Sequence, residues 1–180
     1  DDIRVIHRES FGVLTATMVP PCMVVAIEIC EMLLAAEQGV TSFGLSFGQF
    51  GNIEQDCSVA LALRELAHHY LELYQFDVEV FLTFHQWMGS FPIDERHASA
   101  LISTSSIIAK LVGADKIVSK TPYEAKGIPT IEANKAGVEI TKFSLKTCAT
   151  GVIDVPAMVV EEKSRVIRGA MDVIDSIVAL

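Results

Sequence analysis

Lys120 and Glu124 stand one helical turn apart in the stretch Lys120-Thr121-Pro122-Tyr123-Glu124-Ala125-Lys126-Gly127-Ile128-Pro129-Thr130. The strand-like run Lys116-Ile117-Val118-Ser119 precedes it. A cation therefore ends a strand, a Thr-Pro pair opens a helical turn, and a carboxylate follows. In parallel α/β folds ligands bind at such strand ends. The carboxylate can accept from two vicinal hydroxyls while the ammonium donates to their oxygens, so the pair suits a polar ligand such as a ribose. The same spacing fits a capping box, with Thr121 as N-cap, Pro122 at the first position and Glu124 reaching back to a backbone N–H. The two roles are compatible. Lys120 admits another chemistry. A lysine at a barrel strand end forms a Schiff base where burial lowers its pKa, although Glu124 so close favours the ammonium.

A second cluster is Phe84-His85-Gln86-Trp87-Met88-Gly89-Ser90-Phe91-Pro92. His85 and Gln86 form a polar pair beside broad apolar groups, a mixture suited to a large planar ligand. A lone histidine among apolar residues also serves as a satisfied core residue. The glycines of Gly44 to Gly51 match neither a dinucleotide fingerprint nor a P-loop, and read as close-approach positions. No Ser-His-Asp order, nucleophile elbow or metal cluster is visible. His68 and His69 diverge by about 100° on a helix and do not converge on one ion. Cys22, Cys30, Cys57 and Cys148 form no C-x-x-C pair and read as reduced thiols, which points to the cytoplasm.

These residues need elements to hold them. The 180 residues are 51% hydrophobic and 21% charged, enough for one packed domain. A net charge of -9 argues against nucleic acid or an anionic membrane as partner. The most apolar stretch, Val19 to Ala36, is interrupted by Glu28 and Glu31, so no membrane helix is expected. The chain starts without Met or a signal-peptide pattern, and Asp1-Asp2 reads as an arbitrary boundary with residues expected upstream.

Short apolar runs alternate with amphipathic segments. Residues 12–17 are a candidate strand. A helix starts at Pro20-Pro21, keeps phase through Val24, Ile27, Leu34 and Ala35, and stops at Gly39. Residues 42–47 form the next strand. A helix to about Gln75 carries Val59, Leu63, Leu66, Tyr70 and Tyr74 on one face. Residues 77–84 read as a strand covered on both faces. A helix over 95–112 is capped by Asp94 and Gly113, with Ala98, Leu101, Ile102, Ile108, Ala109 and Val112 as its stripe. A fourth strand ends at Lys120. Thr130 caps another helix, whose length is clouded by Gly137 and the strand-like Val138-Glu139-Ile140-Thr141. A last helix over 159–178 places Val166, Ala170, Ile174 and Ile177 on one side.

This βαβαβαβα order predicts an α/β fold with a parallel sheet and right-handed crossovers. Four units make half of a (β/α)8 barrel, which usually needs ~250 residues. Residues 1–180 then form a single partial-barrel domain. Half a barrel leaves two open edges, so the chain belongs to a longer one or closes against itself or a partner. A small open doubly wound sheet is the structural alternative.

The motifs also resemble a known family. Residues 84–89, Phe91-Pro92, and the segment from Lys120-Thr121-Pro122 through Gly127-Ile128-Pro129-Thr130 to Glu132-Ala133-Asn134 resemble the large (epsilon) subunit of glutamate mutase, also called methylaspartate mutase. Residues 34–40, Gly51-Asn52, Gln55-Asp56, Val19-Pro20-Pro21 and Phe11 match in the same order. The resemblance implies a (β/α)8 barrel that depends on adenosylcobalamin and works with a small cobalamin-binding subunit as an oligomer. Together they interconvert L-glutamate and threo-3-methylaspartate by a radical rearrangement. Carried over by position, Lys120 and Glu124 hold the adenosyl ribose, Phe91 and Ile128 line the cofactor, His85 lies close to the substrate, and Phe11 faces the active centre. Ser90 and Tyr123 replace a glycine and a histidine of the family. The family's substrate-binding arginines and its amine-contacting glutamate lie upstream of the matching region. None of Arg4, Arg8, Arg64, Arg96, Arg165 and Arg168 sits on a matching motif, so this piece is not expected to turn over alone. Two other readings stand beside this one: a Schiff-base, aldolase-like barrel using Lys120, and a self-associating half-barrel that only binds.

Overall fold

Ser42–Gly48, β2, reads Ser-Phe-Gly-Leu-Ser-Phe-Gly, and its alternation sorts the molecule into two sides. Phe43, Leu45 and Phe47 join the main core with residues from the helices. Ser42, Gly44, Ser46 and Gly48 therefore point the other way. Glu79–His85, β3, repeats the rule. Leu82 and Phe84 enter the helix-side core, which leaves Phe81, Thr83 and His85 on the opposite face. Full burial of each such Leu or Phe contributes roughly 1.5–3 kcal/mol, so the helix side supplies most of the stability.

The computed structural model describes residues 7–11, 18–148 and 156–178. Four parallel strands run in the order β1-β2-β3-β4, with β1 at Arg8–Glu9 and β4 at Lys116–Val118. Helices alternate with them: α1 Pro21–Glu37, α2 Ile53–Leu73, α3 Glu95–Leu111 and α4 Ile131–Thr147. This is the expected α/β half-barrel. The described β1 lies ahead of the expected strand at 12–17, which falls outside the described residues, as does Arg4. β3 starts later than expected, at Glu79, and β4 stops at Val118.

Several boundaries follow sequence signals. Asn52 accepts from the N–H groups of Glu54 and Gln55, and Asp94 from those of Arg96 and His97. Thr130 accepts from Ala133 N–H, and α4 runs unbroken through Gly137. Helical phase wins there over the strand propensity of Val138 to Thr141.

Two expectations fail. In α1 the expected Val24 and Ala35 are buried together with Val25, Ile29, Met32 and Ala36, whereas Leu34 is 63% exposed. The helix is apolar almost all round, so its phase is weakly marked. It needs that breadth because it packs on β2, on α2 and on the last helix of the chain. The last helix, α5 at Ala157–Val178, lies on α1 and α2 and adds a third layer over them. Val166, Ala170 and Ile174 are buried there, but Ile177 is exposed.

The sheet curls strongly. Lys116 Nζ on β4 lies 2.6 Å from Glu9 Oε2 on β1, although two strands stand between them. Three strand spacings in a flat sheet would separate these backbones by about 14 Å. Gly44 makes the crossing possible, because a Cβ there would sit 3.1 Å from Glu9 Cγ.

Where β1 stops pairing, a buried carboxylate takes over. Glu28 Oε2 accepts from Ser46 N–H at 2.7 Å, and Ser10 Oγ lies 2.9 Å from Glu28 Oε1 and against Glu31 Oε2. Burial is the main cause that lifts the Glu28 carboxyl from 4.5 to about 8, against the two hydrogen bonds that favour its anion. The folded state thus holds this proton more tightly than the unfolded one. The resulting stability is complete below pH 4.5 and is lost as pH rises through about 8. Glu28→Gln should keep the geometry without that loss. The melting temperature of full-length wild-type protein, minus that of the variant, should therefore fall between these pH values. A difference that stays flat would show that Glu28 carries its ordinary pKa.

Candidate functional site

The loop after β4 is built by the residues that suggested a capping box. Glu124 Oε1 accepts from Thr121 N–H at 3.1 Å, and Thr121 Oγ1 accepts from Tyr123 N–H at 3.2 Å. No α-helix follows at once. The chain makes a 3₁₀ turn over Glu124–Lys126 and leaves it at Gly127, whose φ of 127° suits glycine. The cap fixes one carboxylate oxygen of Glu124 and leaves the other free to turn outward. That second oxygen, Oε2, lies 3.8 Å from Lys120 Nζ. Both side chains are about one-quarter exposed (24% and 26%), so the pair stands at a rim open to solvent.

Beneath the pair the backbone is tightly held. Gln86, fully buried, accepts from Lys120 N–H through Oε1 at 2.8 Å. Gly137 lets α4 approach the same peptide. A Cβ at 137 would overlap the Lys120 carbonyl oxygen and sit 3.2 Å from Thr121 Cα.

His85 ends β3 on the concave face, 4% exposed, and its ring lies 6.4 Å from that of Phe11. Its buried Nε2 has no hydrogen-bond partner among the described residues. Burial pushes the imidazole pKa down, with lesser contributions from Lys120 and Lys116, while Glu9 opposes the shift. His85 is therefore neutral near pH 7 and able to exchange hydrogen bonds with a polar group brought to this face. A cavity of ≈ 300 Å³ on the concave side is lined by His7, Ser42, Phe81, Thr83, Asp115 and Lys116.

Phe91 and Ile128 lie in the segments after β3 and β4, whereas Phe11 follows β1. Phe91 is partly buried after β3, and Ile128 is 93% exposed before α4. Phe11 is 70% exposed. Two expectations change. Gln86 does not join His85 in facing a ligand; it turns into the helix layer, as strand alternation requires. Trp87 is occupied structurally. Its ring lies against Gly51 and Gly89, where added Cβ atoms would come within 2.6 and 2.5 Å, and its Nε1–H donates to Ser90 O. Arg64, Arg96 and Arg165 pair with Asp115, Asp94 and Glu162, away from Lys120. Among the described residues no group of three or more His, Cys, Asp or Glu could hold a metal ion, and no helix is long and apolar enough to cross a membrane.

Residues 3–180 match the family model described as Methylaspartate mutase E chain. The chain belongs to that family. It is 48% identical to the glutamate mutase epsilon subunit of Treponema denticola over 141 residues, which is 78% of this chain and 29% of that protein. It is 47% identical to the epsilon subunit of Escherichia coli O157:H7 over 141 residues, again 78% of this chain and 29% of the relative. Against that of Haloarcula marismortui the identity is 40% over 171 residues, 92% of this chain and 34% of the relative. The chain thus spans about a third of the length of the curated relatives it matches. Family membership agrees with the half-barrel and with the order of the motifs along it.

Gly137 was legible in the sequence only as a weak point of a helix. Glycine inside a helix ordinarily costs about 1 kcal/mol relative to alanine, so Gly137→Ala would stabilise an unobstructed helix. Here the new methyl meets backbone rather than a flexible side chain. Gly137→Ala should destabilise the full-length protein by ~1–3 kcal/mol, read as a lower denaturation midpoint. A higher midpoint would mean that the Lys120 loop moves aside freely.

Proposed function

We propose that this chain is the part of a glutamate mutase large subunit that grips the adenosyl ribose of adenosylcobalamin at the rim of the barrel. The observation that carries this reading is the 3.8 Å approach of Lys120 Nζ to Glu124 Oε2, with the other Glu124 oxygen already fixed by Thr121. A carboxylate oxygen and an ammonium held side by side match the acceptors and donors of a vicinal diol. Glu124 accepts from the hydroxyls; Lys120 donates to their oxygens. Phe91, partly buried after β3, and the exposed Ile128 are assigned to the apolar lining of the coenzyme site. When bound, the coenzyme supplies the radical chemistry of a carbon-skeleton rearrangement.

His85 is assigned to the substrate side. Its buried Nε2, without a hydrogen-bond partner among the described residues, can orient a polar group of L-glutamate brought to the concave face. The substrate carboxylates are assigned to residues outside this segment, and activity to the complete assembly with a small cobalamin-binding subunit. Four free thiols suit a cytoplasmic setting. The Schiff-base alternative gains nothing from the geometry, because Lys120 Nζ faces a carboxylate rather than an apolar pocket.

Glu124→Gln separates charge from shape, since the amide carbonyl can still accept from Thr121 N–H. In the full-length assembly it should weaken adenosylcobalamin binding by ~1.5–3 kcal/mol, the usual size of a hydrogen bond to a charged group, or about 10- to 150-fold. The KM for glutamate at saturating coenzyme should change far less. Lys120→Arg should retain much of the affinity, and retained turnover in that variant would exclude an amine nucleophile. Unchanged coenzyme affinity in Glu124→Gln would overturn the ribose assignment.

A further inference from the structure

We infer that Gln86 is a positioning residue for the Lys120–Glu124 pair, a role that rests on the ribose reading above. Gln86 is the first residue after β3 and is fully buried. Its side chain reaches three other elements. Oε1 accepts from Lys120 N–H at 2.8 Å. Nε2 donates to Ser106 Oγ on α3 at 3.0 Å and to Thr141 Oγ1 on α4 at 3.2 Å. Its backbone N–H donates to Val118 O at 3.2 Å, the last residue of β4.

The direction of this amide is fixed by chemistry. A peptide N–H can only donate, so the oxygen must face Lys120. Ser106 spends its single proton on Ile102 O at 2.7 Å, so it can only accept from Gln86. The amide therefore has one orientation, and both of its protons are used. Thr141 Oγ1 continues to Ser119 Oγ at 3.0 Å, and Ser119 Oγ lies 3.3 Å from Lys120 O. The Lys120 peptide is thus held through its N–H by Gln86 and approached at its carbonyl by Ser119 and by the Gly137 turn of α4.

Lys120 has one rigid end and one free end. Its peptide is locked to the β3 rim and to both neighbouring helices, and its ammonium reaches out to Glu124. Removing the Gln86 amide leaves a part-buried N–H without an acceptor at the residue that aims the cation. The loss appears at the ribose contact, because the Lys120 backbone sets where the ammonium stands relative to Glu124.

A double-mutant cycle on the full-length assembly tests this, with coenzyme affinity measured by titration and thermal melting as a fold control. Gln86→Met keeps the side-chain length and removes the acceptor and both donors. It should weaken adenosylcobalamin binding by about tenfold, the scale of one part-buried group left unpaired. The glutamate KM at saturating coenzyme should stay within about twofold. In a Lys120→Met background the same substitution should add less than about twofold, which marks action through Lys120 rather than general loosening. If Gln86→Met does not fold, Thr141→Val removes one anchor of the amide and carries the same cycle with a smaller effect. Equal losses in both backgrounds overturn the inference. So does a silent Gln86→Met beside a Lys120→Met that weakens binding, and that result leaves the ribose reading intact. A Lys120→Met without effect on coenzyme affinity overturns both.

Discussion

Backbone N–H groups at the C-terminal rim of the sheet are wholly or partly buried but have run out of strand partners, and side chains must satisfy them. Leaving such a group unpaired costs about 1–3 kcal/mol. Two glutamines answer this in the same way on successive strands. Gln49 follows β2; its own N–H donates to His85 O, and its Oε1 accepts from Trp87 N–H and from Ser105 Oγ. Gln86 follows β3, donates to Val118 O, and accepts from Lys120 N–H. Each glutamine therefore hangs the next loop from the end of the preceding strand. Glu28 performs the related task for Ser46 N–H where β1 stops. The loops after β3 and β4 are anchored from below.

Small residues set how closely these parts approach. Gly44 makes room for Glu9 to reach Lys116 across the trough, Gly51 and Gly89 receive the Trp87 ring, and Gly137 admits the Lys120 carbonyl. On the concave side β2 offers only serines and glycines, while β3 contributes Phe81, Thr83 and His85. Space near β2 and a polar atom at the end of β3 follow from the same alternation that fills the helix-side core. Packing and site are two faces of one period-2 pattern.

That pattern explains what the sequence disclosed. The order of strands and helices was legible because β2 and β3 carry apolar residues at strand spacing and most helices carry a cap or a terminal glycine. The Lys120–Glu124 pairing was legible because it is local: one helical turn and a capping box bring the two head groups together. The Gln86 anchor was not. Its partners, Ser106, Thr141 and Lys120, lie 20, 55 and 34 residues away, and sequence proximity to His85 suggested a shared ligand-facing role. Leu34 is exposed although it keeps helical phase, because α1 is apolar on nearly every side and its buried face is weakly marked. The placement of α5 on α1 and α2 depends on tertiary packing that no local signal carries.

The balance of energies at Lys120 bears on why this architecture exists. An ion pair at 3.8 Å with both partners about a quarter exposed contributes at most about 1 kcal/mol to folding. The hydroxyl–amide chain beneath it is costly to assemble: a polar side chain with no solvent exposure must find a partner for nearly every donor and acceptor it brings in. An apolar residue at 86, with the Lys120 loop allowed to reach water, would remove that requirement. Stability alone thus gives no reason to fix Lys120 so firmly at its peptide while its ammonium holds so weak a contact. The arrangement makes sense when a third group completes it. A rigid base keeps a cation and a carboxylate at a set separation, and the proposed diol supplies the hydrogen bonds that the bare pair lacks.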